Sequence, residues 1–144
     1  MVKKIVWSNK MSREDKKAVR DFLKDYDCDD LTVVFADRYA YQTKRGKEYS
    51  ITRINGRARC GIAMFPRRNG CGYSITMDGE VIRRPAIIVN MNIEGKKRCW
   101  TWQTTFLHEV GHYIDWKTDP EGFRRKSSKA KERFAREFSA LKTL

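Results

Sequence analysis

The chain is poor in several residue types, and each shortage excludes a class of protein. Its 144 residues include two histidines, three prolines and four cysteines. No apolar run approaches the roughly 18 to 20 residues that a membrane-spanning helix needs, and the apolar start is too short for a signal peptide. The cysteines (Cys28, Cys60, Cys71 and Cys99) have no C-x-x-C spacing, so we expect reduced thiols rather than a disulfide framework. These shortages predict a cytoplasmic protein that does not act at a membrane.

What the chain does contain is enough apolar surface for one core. Hydrophobic residues make up 40% of the sequence and aromatic residues 12%, which argues against a disordered or fibrous protein. We find no internal repeat, low-complexity linker or domain boundary along the chain. The sequence therefore predicts a single domain that spans residues 1–144.

Acidic residues are scarce relative to basic ones. There are 31 Lys and Arg residues against 18 Asp and Glu residues, so the formal net charge is +13. Such a surface attracts acidic partners, either nucleic acid or an acidic protein or peptide, although it can also serve solubility alone. Charge by itself leaves these alternatives open.

Helical spacing of apolar residues marks three segments. The predicted helices follow Ser12 for about four turns, run from near Trp100 to near Pro120, and start again at Ser127 or Ser128. The second helix should end there because proline disfavours helix in the residue before it. Between it and the last helix, Gly122 to Lys126 is expected to be a basic loop.

Two apolar runs and two turn dipeptides predict the strands. Leu31–Ala36 and Ala86–Ile93 are rich in β-branched residues and are typical of buried strands. Asn55-Gly56 and Asp78-Gly79 are typical of two-residue hairpin turns, and the first register would pair Ile54 with Arg57 and, farther out, Tyr49 with Ile62. We expect an α+β fold in which a small mixed, mostly antiparallel sheet packs against an N-terminal helix and two later helices.

The second predicted helix contains both histidines of the chain, in the motif His108-Glu109-Val110-Gly111-His112. Residues four apart lie on one helix face, so two imidazoles at this spacing can bind one zinc ion. Glu109, rotated about 100° from its neighbours, can reach a water on the open position of the ion, take its proton and pass it to a leaving amine. The motif thus predicts a zinc metallopeptidase with Glu109 as the catalytic base.

Asp115 lies on the same helix face, three residues after His112. It is a candidate to accept a hydrogen bond from a ligand imidazole and so fix the ring's orientation. The alternative is an exposed carboxylate near the helix end, where it would have no such role.

A zinc site of this kind needs a third protein ligand, and the chain has no third histidine. A carboxylate on the last helix is the natural donor. Glu132 shares a helix strip with small residues, which would permit close approach to the motif helix. Glu137 lies nearer the apolar stripe of Phe134 and Phe138, where a buried carboxylate would also need a partner. Spacing alone leaves both carboxylates as candidates.

The segment His108 to Asp115, followed by Glu132-Arg133-Phe134-Ala135, resembles the gluzincin type of zinc metallopeptidase. Similar patterns occur in lethal-factor-like catalytic domains and in phage and bacterial repressor-cleaving metallopeptidases. In both, the metal-binding glutamate precedes an alanine by three residues, which implies Glu132 as the third ligand here. The similarity covers about residues 86–140.

The resemblance also implies the surroundings of the site. It places the strand Ile87 to Asn92 beside the cleft, where an extended peptide could pair with it. Lethal-factor-like enzymes carry a tyrosine shortly before the last ligand to stabilise the oxyanion. Here the corresponding stretch is Gly122-Phe123-Arg124-Arg125, so an arginine or no residue takes that role.

Two functions from different classes follow. The first is a zinc-dependent endopeptidase that acts on a protein or peptide. The second is a nucleic-acid-associated or regulatory protein with a non-catalytic zinc site, suggested by the net charge and by Arg57 and Arg59 on the expected solvent face of the hairpin. No nucleic-acid-binding sequence motif accompanies that charge.

Overall fold

The chain folds around one long buried helix and a four-stranded sheet. The computed structural model describes residues 2–37, 40–42, 48–50, 53–54, 57–58, 60–67, 75–77, 79–93 and 100–144. The predictions for Cys71, Cys99 and Arg59 fall outside these residues, as does the side chain of Arg57. Within the described part of the chain, no helix is long and apolar enough to cross a membrane.

The described helices are α1 (Arg13–Leu23), α2 (Trp102–Thr118), α3 (Pro120–Arg125) and α4 (Ser128–Leu141). Each follows a residue whose side chain caps its first turn. Ser12 forms a capping box with Asp15 at α1, Thr101 accepts a hydrogen bond from the Thr104 amide at α2, and Ser127 accepts one from the Ala130 amide at α4. The predictions for α2 and α4 are confirmed, and α1 is one turn shorter than expected.

The predicted loop from Gly122 to Lys126 is wrong, because most of it belongs to α3. Asp119 ends α2, where its amide donates to the Asp115 carbonyl, and its side chain then accepts a hydrogen bond from the Gly122 amide. Pro120 occupies the first position of α3, where its missing N–H costs nothing. The Asp-Pro pair therefore stops one helix and starts the next.

In the described part of the chain, ten strands form three sheets. They are β1 (Lys4–Val6), β2 (Thr32–Ala36), β3 (Ala40–Gln42), β4 (Glu48–Ser50), β5 (Arg53–Ile54), β6 (Arg57–Ala58), β7 (Gly61–Met64), β8 (Ile75–Met77), β9 (Glu80–Ile82) and β10 (Ala86–Asn90). The largest sheet has the order β1-β2-β10-β7, with β7 antiparallel and the other pairings parallel. The second has the order β4-β3-β8-β9, and β5 pairs with β6.

Both faces of the largest sheet are covered, which explains the continuous apolar sequence of its central strands. On one face, Val33, Phe35, Ile87 and Val89 pack with apolar residues of α1 and α2. On the other face, residues of β2 and β10 pack against β8 and β9. The α+β prediction is confirmed, with helices on one side of a mixed sheet and five of the seven described strand pairings antiparallel.

The hairpin predictions are confirmed near their turns. Ile54 pairs with Arg57, and Met77 pairs with Glu80 across a turn in which Gly79 has φ of +78°. The extension of the first register is wrong, because Tyr49 pairs with Tyr41 and Ile62 pairs with Ile88. The strand predicted for Ala86–Ile93 ends at Asn90, after which the backbone forms a 3₁₀ turn.

Candidate metal centre

The two motif histidines lie side by side on a helix that is buried on almost every face. His108 is 3% exposed and His112 is 9% exposed. Their ring centroids are 4.8 Å apart and the ring planes are nearly perpendicular, at 84°. The helical context expected for the motif is therefore present, and both imidazoles are fixed by the packing around α2.

Glu132 on α4 completes the group. Its Oε2 lies 3.0 Å from Nε2 of His108, and its Oε1 lies 3.1 Å from Nε2 of His112. One candidate ligand atom from each of the three residues lies within 4.8 Å of the others, so the group is close enough to bind a metal ion. Glu137 is exposed and does not belong to this group. Of the two carboxylates that the sequence left open, the structure brings Glu132 to the histidines.

A close contact between α2 and α4 places Glu132 within reach. A Cβ atom on Gly111 would lie 3.1 Å from Cα of Ala135 and 3.2 Å from Cβ of Phe138. Only glycine at this point lets the backbones approach without displacement. Gly111 thus has a role that the motif spacing did not reveal, whereas the strip of small residues on α4 did indicate close helix packing.

Burial governs the protonation of both imidazoles. Removal from water lowers the pKa of His108, and the charge of His112 lowers it further, while the Glu132 carboxylate opposes both effects. Burial likewise lowers the pKa of His112 against the opposing influence of Glu132. A histidine binds a metal through an unprotonated ring nitrogen, so the lowered pKa values favour the binding form near neutral pH.

Glu109 faces a different neighbour from the histidines. It is 6% exposed, and a Cβ atom on Gly61 of β7 would lie 3.2 Å from its Cγ atom. The same Cβ would lie 2.7 Å from Cγ2 of Thr105, so α2 rests directly on the backbone of β7 here. Gly61 was not predicted as part of the site, and a lone glycine in a short strand gives little sequence signal for such a contact.

Asp115 forms an ion pair rather than a bond to an imidazole. Its Oδ1 accepts a hydrogen bond from Nζ of Lys126 at 2.6 Å, and its Oδ2 has no partner among the described residues. Nδ1 of His108 is also buried without a partner within the described part of the chain. The prediction that Asp115 orients a ligand imidazole through a hydrogen bond is therefore wrong. Asp115 instead connects α2 to the α3–α4 junction.

The strand that borders the site differs from the one implied by the resemblance. β10 lies between β2 and β7, and its backbone is paired on both edges. In this sheet β7 is the terminal strand among the described residues, and it lies against Glu109. The prediction for Ile87 to Asn92 is wrong in this respect, because an interior strand has no free edge to offer a peptide.

Arg124 from the segment Gly122-Phe123-Arg124-Arg125 is engaged in the fold. One of its guanidinium nitrogens bonds Oε1 of Glu121 at 2.6 Å, and the other bonds the Pro66 carbonyl at 3.2 Å. Arg124 thus ties α3 to the chain just after β7. Arg125 is exposed at the end of α3.

An aromatic side chain stands at the rim of the centre. The ring centroid of Trp100 lies 4.9 Å from that of His108, and the residue is 43% exposed. Trp100 therefore covers part of the histidine while keeping its other face in water.

No protein-family model, curated protein or solved structure matches this chain. The gluzincin resemblance accordingly stays a prediction from the residues quoted above. The geometry of the triad is an independent observation, and it indicates a metal-binding group without identifying the metal.

Proposed function

We propose that this protein is a zinc-dependent metallopeptidase that hydrolyses a bond within a protein or peptide, with His108, His112 and Glu132 as metal ligands. The observation that carries the proposal is the convergence of these three side chains, and the buried residue Glu109 follows the first of them on the same helix. Two imidazoles and one glutamate leave a fourth position for water or substrate, as catalytic zinc sites require.

The donor atoms fit a zinc ion in kind and in spacing. Ligands on a tetrahedral ion with bonds of about 2.1 Å lie about 3.4 Å from one another. Here Glu132 approaches the two Nε2 atoms with different oxygens, at 3.0 and 3.1 Å, and one atom from each of the three residues lies within 4.8 Å of the others. When bound, zinc would supply Lewis acidity, lowering the pKa of a water and polarising a peptide carbonyl.

Glu109 is the residue proposed to move the proton. It follows His108 directly in sequence, its Cγ atom lies against Gly61 of β7, and it does not belong to the group of three candidate ligands. Its carboxylate would accept the proton of the attacking water and donate it to the amine of the departing peptide. Replacing that group with an amide would remove the proton transfer while preserving the side chain's shape.

β7 supports an extended substrate in this proposal. Among the described residues one edge of β7 is unpaired, and a peptide that pairs with that edge would pass beside Gly61, whose backbone lies against Glu109. The absence of a side chain at Gly61 leaves room for α2 to lie against the strand. This arrangement would bring the peptide backbone near the catalytic carboxylate.

The test compares three proteins for zinc content and peptide cleavage. The wild type should contain one zinc per chain or take it up stoichiometrically. Glu109→Gln should keep that zinc and cleave about 10²- to 10⁴-fold more slowly, which is the usual contribution of a general base. His108→Ala should lose both. The proposal fails if the wild type binds no stoichiometric zinc, or if zinc-loaded wild type and Glu109→Gln cleave equally.

A further inference from the structure

An open recess of about 400 Å³ adjoins the candidate metal centre on the α4 side. We name it the α4 recess. The described residues that line it all belong to α4, namely Ser128, Lys129, Glu132, Arg133, Arg136 and Glu137. Because Glu132 belongs both to this lining and to the metal-binding group, whatever occupies the recess lies next to the proposed reaction centre.

Three of the lining side chains are cations: Lys129, Arg133 and Arg136. None of them forms an ion pair within the described part of the chain. Lys129 precedes Glu132 by three residues and Arg136 follows it by four, which are the positions where a surface glutamate pairs with cations on a helix. Glu132 instead turns both oxygens toward the imidazoles. Because Glu132 contacts the histidines, Lys129 and Arg136 do not form the ion pairs with it that their spacing on the helix would allow.

The charges that remain in the recess are predominantly positive. Glu137 is the one lining anion that is not turned toward the histidines. Unpaired cations that lie close together attract an anionic group more strongly than a single cation does.

We propose that the α4 recess binds an acidic side chain of the substrate, close to the bond that is hydrolysed. This inference rests on the metallopeptidase function proposed above and adds its substrate class. A guanidinium group can hold a carboxylate through two parallel hydrogen bonds, and the recess offers two arginines for that contact. A nucleic acid fits less well, since it gains affinity from a long row of phosphate contacts, whereas the recess offers three cations.

The test uses two quenched-fluorescence peptide libraries of equal length that differ only in carrying Glu or Gln at the varied positions. Zinc-loaded wild type should cleave the Glu library with about tenfold higher kcat/KM, the size expected for one charge-assisted contact. Arg133→Gln/Arg136→Gln should reduce that preference to within about twofold. Arg13→Gln, which removes an exposed arginine of α1 that does not line the recess, should leave the preference unchanged.

A binding measurement keeps the inference separate from turnover. Fluorescence anisotropy of labelled Glu and Gln peptides, and of a labelled DNA duplex, is measured on zinc-loaded Glu109→Gln with and without the two arginine changes. The Glu peptides should bind about tenfold more tightly than the Gln peptides, and the difference should disappear in the arginine variant. Circular dichroism melting confirms that the variants remain folded.

The outcomes distinguish the two proposals. If neither library is cleaved, the metallopeptidase function fails, and anisotropy alone decides whether the recess prefers acidic peptides. If both libraries are cleaved and bound equally, or if the preference survives in the arginine variant, the recess proposal is overturned while the function stands. Tighter binding of DNA than of the Glu peptides, lost with the two arginines, overturns it in favour of nucleic acid.

Discussion

The helices α2 and α4 both contribute to the candidate metal centre, but they are built in opposite ways. Twelve of the 17 residues of α2 are buried, including both histidines and Glu109. In α4, only Ala135 of 14 residues is buried, and the side chain of Glu132 is 45% exposed. One helix therefore presents its ligands from inside the core, whereas the other brings a single carboxylate to them from the surface.

This difference separates folding from metal binding. Substitutions on α2 disturb the main apolar core, so they act on the free energy of unfolding. Substitutions on the exposed face of α4 disturb little packing, so Glu132 can be changed with its effect confined to the site. The asymmetry predicts distinct responses of stability and zinc affinity to changes in the two helices.

The largest effect on zinc affinity is expected for Glu132→Gln. Loss of a direct donor should weaken zinc binding by at least about 100-fold, because loss of groups that merely support a ligand already costs roughly 10 to 100-fold. Glu137→Gln is the matched control, on the same helix and equally acidic, and it should keep wild-type affinity. Competition titration with a chromophoric chelator measures both. If Glu137→Gln lost the metal instead, the assignment of the third ligand would be wrong.

A smaller effect on zinc affinity is expected at Gly111 of α2, whereas its neighbour Val110 should affect the free energy of unfolding instead. Gly111→Ala should weaken zinc binding about tenfold, because its Cβ meets the α4 backbone and moves Glu132. Its effect on the free energy of unfolding should be small, because the gain in helix propensity of about 1 kcal/mol offsets part of the destabilisation from overpacking. Val110→Ala should lower the free energy of unfolding by about 2 kcal/mol through lost core packing and leave zinc affinity unchanged.

Denaturant unfolding and zinc titration of both variants give the comparison. If zinc affinity fell in proportion to the free energy of unfolding in both Gly111→Ala and Val110→Ala, the contact between α2 and α4 would have no special part in placing Glu132.

The smallest effect concerns the pH dependence of the metal-free protein. Burial lowers the pKa of His108 and His112 in the folded state below the ordinary value of 6.5. As the pH falls below 6.5, the unfolded chain binds protons first, so the free energy of unfolding falls until the folded pKa values are reached. Stability therefore rises with pH through this window.

Urea unfolding at a series of pH values, after zinc removal with a chelator, measures this dependence. His108→Gln/His112→Gln should lose this part of the dependence, while the carboxylates keep theirs. An unchanged pH profile in the double variant would mean that the buried histidines contribute no net proton uptake on unfolding.

Local sequence was sufficient for the α2 half of the site. The spacing of His108 and His112 is a property of one helix, so the shared face follows from helical geometry alone. The choice between Glu132 and Glu137 depends instead on how α4 docks, which is set by the contact of Gly111 with Ala135 across 24 residues of chain. Spacing left that choice open, and only the family pattern favoured Glu132.

The sheet shows the same limit at its edges. The central strands β2 and β10 were predictable because both faces are buried and their sequences are continuously apolar. β1 has three residues and exists through parallel pairing with β2, so nothing within Lys4–Val6 identifies it. The prediction placed β10 rather than β7 beside the site for a similar reason. A strand's position in a sheet depends on its pairing partners rather than on its own residues.

The prediction of a loop in place of α3 was wrong for a different reason. Asp119-Pro120 is a helix stop for the chain that precedes it and a helix start for the chain that follows. The effect of a proline on the residue before it indicates only the first of these roles. A capping aspartate before a proline is consistent with both, and the hydrogen bond from the Gly122 amide identifies the second.

The position of Trp100 has a practical consequence. Its indole ring touches one ligand and remains accessible to solvent, whereas Trp102 and Trp116 are buried. A copper or cobalt ion entering the centre would quench the emission of the nearest indole most strongly. The protein thereby contains its own optical sensor of metal occupancy, and Trp100→Phe would silence that signal without removing any of the three side chains that hold the ion.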